Sequence, residues 1–149
     1  SVLGIVTGAV VGLVAVTPAA GFVTPISAMI IGAVAAPISY YAIALRNKRG
    51  LDESLDVWAC HGMAGTWGAL ATGLFATTAV NAAGRDGLFY GNPNQFVIQL
   101  ITVVVTIVYA MAITFILTKV LSSVWGLSVL ETEEEVGLDI SEHGERAYA

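Results

Sequence analysis

Charge is what this sequence has least of. No Asp, Glu, Lys or Arg occurs at residues 1–45, 57–84 or 88–118. Charged residues make up 11% of the chain, against about 25% in ordinary soluble domains, and 56% of residues are hydrophobic. That balance excludes an ordinary water-soluble domain. A bilayer-crossing helix needs roughly 20 predominantly apolar residues. The first charge-free run, 45 residues, has room for two such helices, and each of the other two runs accommodates one. The expected fold is therefore all-α, a polytopic membrane protein with four transmembrane helices.

Cysteine is nearly absent too. The single Cys60 excludes an internal disulfide, leaves the redox compartment undetermined and reads as a small hydrophobe. The net charge of −5 carries no message of its own, because Glu131, Glu133, Glu134, Glu135, Asp139, Glu142 and Glu145 supply seven of the eleven acids. An acidic tail of this kind implies no nucleic-acid partner. No charged segment precedes the first apolar run, so a signal peptide is a poor reading, and the expectation is an excerpt of a longer membrane protein.

Proline and glycine divide the apolar runs. The first span is expected at about 1–16, the stump of a longer helix. Thr17-Pro18 through Thr24-Pro25, with Gly21 between them, marks a turn, because proline lacks a donor and glycine permits positive φ. The second span is expected at 26–45, kinked at Pro37, and ends in a basic loop with Arg46, Lys48 and Arg49. The third is expected at 57–78, with Asp56 as its N-cap, since a carboxylate satisfies free amides and suits the positive end of the helix dipole. A polar loop over 81–94 precedes the fourth, expected at 95–127. These spans make residues 1–127 the transmembrane region and 128–149 a cytoplasmic tail. Five of the six basic residues fall on one side of this topology, which assigns that side to the cytoplasm.

Within residues 57–84 the only ionisable side chains are Cys60 and His61. A polar group in an apolar span is by default a candidate site on a transport path. His61 lies only four residues past Val57, about 6 Å into the span, and a packed or snorkelling histidine is the plainer reading of that spacing. Gly62, Gly65 and Gly68 read as helix-packing positions, because small residues admit close approach. Trp58, Trp67 and Trp125 read as interface or packing aromatics. An enzyme is not expected: the sequence has no histidine cluster at metal spacing, and no carboxylate inside a span to pair with His61.

Three motifs occur in order: Gly12-Leu13-Val14-Ala15-Val16-Thr17-Pro18-Ala19-Ala20-Gly21, then Asp56 with His61, Gly62, Gly65 and Gly68, then Gly137-Leu138-Asp139 with His143, Gly144, Ala147 and Tyr148. Together they resemble the C-terminal part of the ammonium transporter (Amt/Mep/Rh) family, the Amt branch in particular, over essentially the whole chain. The resemblance implies an eleven-helix, inverted-repeat channel assembled as a homotrimer in the cell membrane. This chain would hold the last four spans and the regulatory tail. His61 would be the second of two paired pore histidines, with Thr17 and Val57 also lining the pore and Asp56 structural. Ammonium would shed its proton, and neutral ammonia would pass a narrow apolar pore, because a bare cation in hydrocarbon is prohibitively costly. Burial would keep the imidazole neutral, able both to donate and to accept.

In the tail, the resemblance gives Gly137, Asp139, His143, Gly144 and Tyr148 a regulatory role. The segment would touch a neighbouring subunit and help couple the pore to a PII-type signalling protein. Glu131 to Glu135 reads as a solvated charge run, and no cofactor or metal is implied. The alternative function is an ammonium sensor on the same scaffold, signalling through a cytoplasmic partner.

Overall fold

Side-chain caps start the first two helices. Ser1 Oγ accepts the Gly4 amide at 3.1 Å and Thr24 Oγ1 accepts the Ser27 amide at 3.2 Å. Pro25 follows at the first helical position, where its missing N–H would have had no partner anyway. The resulting helices are α1 (Val2–Val16) and α2 (Pro25–Lys48) in a computed structural model that describes residues 1–147. No strand occurs among the described residues. At the end of α1, Thr17 Oγ1 donates back to the Leu13 carbonyl at 2.7 Å, and Thr17–Ala19 tightens into a 3₁₀ turn. Helix α2 continues through Pro37, and Arg46 and Lys48 occupy its last turn, where cations suit the negative end of the dipole.

The segment expected to span over 57–78 is helical in two pieces. A π-helical turn, Trp58–Met63, leads into the 12-residue helix α3 (Ala64–Phe75). Among the described residues, three helical stretches are long and apolar enough to cross a membrane: Val2–Ala19, Pro25–Lys48 and Pro93–Val124. The last is α4, 32 residues, or about 48 Å at 1.5 Å per residue. It ends before the expected 127, at Val124.

The chain divides into two compact units, Ser1–Thr106 and Ile107–Ala149, with α4 beginning in one and ending in the other. The core of the first unit joins α1, α2 and the π turn with α3. It is built mostly from small side chains: Ala15, Ala19, Ala35, Ala64 and Ala71, with Val11, Val23, Ile31 and Cys60. Small residues bring helix backbones together where lipid offers no hydrophobic driving force of its own. A methyl on Gly32 would lie 3.6 Å from the Gly12 Cα, so α1 and α2 cross at that pair. A methyl on Gly68 would stand 2.0 Å from the Ala15 carbonyl oxygen, so α3 closes directly on the end of α1.

The loop after α3 is tied on both sides. The Thr77 amide donates to the Phe22 carbonyl at 2.9 Å, and the Gly87 amide donates to the Ala76 carbonyl at 2.8 Å. Asp86 Oδ1 accepts the Thr78 amide at 2.7 Å, which holds its carboxyl below the usual range.

In the second unit the acidic run is not irregular. Glu131–Val136 forms the short helix α5, exposed but ordered, because acids in a first turn suit the helix dipole. Glu133 Oε2 also accepts the Leu130 amide at 2.8 Å. Gly137, at φ +102°, turns the chain into α6 (Leu138–Ser141). Asp139 then closes the segment on itself: its Oδ2 accepts the Ala147 amide at 2.9 Å and its carbonyl accepts the Glu145 amide at 3.0 Å.

Candidate functional site

His61 sits inside the π turn, among residues whose backbone is displaced from α-helical register. Single π turns within helices are uncommon and frequently mark functional sites. Its neighbours Ala59 and Cys60 are buried, whereas His61 itself is exposed rather than buried as its place in an apolar run suggested. The reason is the face it occupies. Leu3 and Val6 of α1, which lie alongside, are themselves exposed, and no described residue covers that edge. His61 borders a cavity of about 290 Å³ with apolar walls from Leu3, Val6 and Val10 and a polar rim at Ser54 and Asp56. Its ring has no hydrogen-bond partner among the described residues.

Asp56 enters this site differently from the N-cap role expected of it. Its backbone has φ +53°, in the left-handed region that Asp tolerates better than most residues. Its carboxylate turns toward α2, where Arg46 Nη2 lies 2.9 Å from Asp56 Oδ1. Glu53 instead accepts the Trp58 amide through Oε1, so the carboxylate that meets the π turn comes from three residues earlier. The Arg46 guanidinium also donates to the Glu53 carbonyl and to Asn47 Oδ1 at 2.6 Å, drawing the whole 46–56 connection onto the end of α2.

The other predicted site residues are spread along the bundle. Val57 is exposed just before the π turn and does not line the His61 cavity. Thr17 lies in the 3₁₀ turn beyond α1, its hydroxyl engaged with the Leu13 carbonyl. That turn meets α3 at Gly68, where a methyl would lie 3.0 Å from Pro18 Cγ. Gly68 is seven residues beyond His61, so Thr17 and His61 sit at different heights of one three-helix packing. Of the three glycines expected to pack, only Gly68 does so against another helix. Gly62 faces its own Trp58, and Gly65 has nothing within 4 Å. In the tail, Asp139, His143 and Gly144 lie in the segment that Asp139 closes onto Ala147, with Gly144 at φ +67°, and Gly137 leads into it as the N-cap of α6. Tyr148 lies outside the described residues.

Sequence reading missed the two hydrogen bonds that fasten α2 to the site. Ser39 Oγ donates to the Ala59 carbonyl at 2.8 Å, and Trp67 Nε1 donates to the Ile31 carbonyl at 3.0 Å. A signal existed in the spacing of Ser27, Ile31, Ala35, Ser39 and Ala42, which recur every three or four residues and are all buried.

The profile of the ammonium transporter family matches residues 1–148 of this chain. The chain belongs to that family. It is 51% identical over 146 residues to an Archaeoglobus fulgidus protein named ammonium transporter Amt1, which covers 98% of this chain and 37% of the relative. It is 47% identical to a Bacillus subtilis ammonium transporter and 49% identical to one from Aquifex aeolicus, each over 149 residues and 99% of this chain. Those alignments cover 37% and 34% of the two relatives, so the chain spans about a third of the length of the ammonium transporters it matches. With its long apolar helices, this ammonium transporter family chain is a membrane protein.

Proposed function

We propose that this chain is the C-terminal portion of an ammonium transporter and carries one wall of the transport path, with His61 as its pore-lining polar group. The observation that carries the reading is the position of His61. It is the one imidazole in a charge-free segment, and it stands at the rim of an apolar cavity with no hydrogen-bond partner for its ring among the described residues. A neutral imidazole can donate from one nitrogen and accept at the other. Ammonia, also both donor and acceptor, could then cross an apolar passage without losing all of its hydrogen bonds, whereas ammonium would pay the full cost of dehydrating a cation.

On this reading the exposed edge at Leu3, Val6 and His61 faces further helices of the same transporter, which complete the passage. Thr17 and Val57 line other levels of it. The subunits assemble as a homotrimer in the cell membrane, with the 46–56 loop and the tail in the cytoplasm, where the tail meets a PII-type signalling protein.

The test is His61→Ala in the full-length transporter, with methylammonium uptake and oligomeric state measured together. Uptake rate or selectivity should change while trimers persist. Unchanged rate and selectivity would remove His61 from the path.

A further inference from the structure

We propose that Ser39, on α2, is a positioning residue for His61: its hydroxyl holds the π turn open and thereby sets the direction of the imidazole. The proposal rests on the reading of His61 as a transport residue and adds a second residue to that site.

Ser39 is almost fully buried, 2% exposed, in the interior of a transmembrane-length helix. A serine in a helix commonly donates to the carbonyl four residues earlier in its own chain. Ser39 instead reaches across to the Ala59 carbonyl at 2.8 Å, and Ala59 is itself wholly buried. Ala59 belongs to the π turn, two residues before His61. In a π turn each carbonyl accepts from the amide five residues on instead of four, a wider and rarer arrangement than the flanking α-helix. The Ser39 hydroxyl adds a donor from another helix to one carbonyl of that turn, and so favours the geometry in which this carbonyl faces α2.

A second bond fixes the frame in which this one acts. Trp67 Nε1 donates to the Ile31 carbonyl at 3.0 Å, eight residues back along α2 and eight residues on from Ala59. The two ties enclose Pro37 on α2 and residues 60–66, with His61 among them, on the facing segment. With both ends of the contact held, a π turn that relaxed to α geometry would have to rotate His61 relative to α3 by about 100°, one residue of helical turn. That rotation would take the imidazole off the Leu3–Val6–Val10 cavity.

The experiment uses the full-length transporter carrying Ser39→Ala, Ser39→Val and Ser39→Thr, each also combined with His61→Ala. Valine and threonine have nearly the same volume and differ in the donor, so their comparison isolates the hydroxyl from packing. Transport by the alanine and valine variants should fall roughly tenfold at unchanged trimer yield, the scale expected when a reacting geometry is displaced, while threonine keeps most of the rate. In the His61→Ala background the same substitutions should have no further effect, because Ser39 acts through His61. Full activity in Ser39→Ala, equal losses in valine and threonine, or losses that multiply with His61→Ala would each overturn the proposal.

A spectroscopic arm separates this proposal from the transport reading. The His61 imidazole resonance, identified in histidine-labelled protein by its absence in His61→Ala, should shift in the alanine and valine variants and stay in the threonine variant. If His61→Ala transports normally yet these shifts occur, the transport role of His61 fails and the positioning role of Ser39 stands. If the resonance does not move, Ser39 does not position His61.

Discussion

Arg46 Nη2 and Asp56 Oδ1 lie 2.9 Å apart, joining the last turn of α2 to the residue immediately before the helical segment of His61. The side chains are 12% and 32% exposed, between the solvent-exposed pairs that contribute little and the buried ones whose disruption is severe. Asp56 makes this contact from a backbone of positive φ. The pair fastens the two ends of the connection between α2 and the π turn to each other, and Asp56 sits at the rim of the cavity that His61 borders.

Asp56→Ala should therefore lower the thermal stability of the full-length transporter by about 1–2 kcal/mol, combining a broken ion pair with a side chain less tolerant of positive φ. Asp56→Asn should cost less, because asparagine, like aspartate, accepts the left-handed backbone, so that only the ion pair is lost. Equal melting temperatures for the alanine and wild-type proteins would exclude this role.

Gly68 and Gly65 should respond in opposite ways to the same substitution. A methyl at Gly68 would collide with the Ala15 carbonyl at 2.0 Å, backbone that cannot move without parting α1 from α3. Gly68→Ala should destabilise by at least about 1–3 kcal/mol, the usual range for overpacking. Gly65→Ala, with nothing within 4 Å, should leave the packing of this chain's own helices unchanged. Assembled protein recovered after mild heating distinguishes the two.

Asp86 should make the loop after α3 sensitive to acid. Its carboxyl lies below the ordinary range, chiefly because the ionised form accepts the Thr78 amide. A carboxylate with a depressed folded-state pKa stabilises fully above its unfolded value and loses that contribution as pH falls through the folded value. Exchange of the Thr78 amide should therefore be slow, relative to its intrinsic rate, at neutral pH and lose protection below the ordinary carboxylate range. In Asp86→Asn the pH-dependent part should disappear.

The tail should behave in the same sense around Asp139. Its carboxyl is held low first by the Ala147 amide, then by the Ile140 amide, with a small contribution from His143. Acidification through the folded value should release the Ala147 end, and Asp139→Ala should release it at neutral pH. Protection of the Ala147 and Glu145 amides is the readout, and a tail equally protected in the variant would show that Asp139 does not close it.

Sequence alone determined that this is a helical membrane chain, because charge cannot be placed in hydrocarbon and its absence over three long runs leaves few alternatives. It also located the breaks at Thr17-Pro18 and Thr24-Pro25, where proline and side-chain caps act locally. It singled out His61 for the same reason, as the imidazole in a run without charge. Tertiary structure decided the rest. Whether Asp56 capped a helix or paired with Arg46 depended on where α2 ended in space, and which glycine packed depended on which face of α3 met α1. The π turn was invisible to periodicity, since one wide turn alters register without altering composition. Ser39 looked like any small helical residue until a carbonyl from another segment came within 2.8 Å of it, a contact that no local pattern specifies.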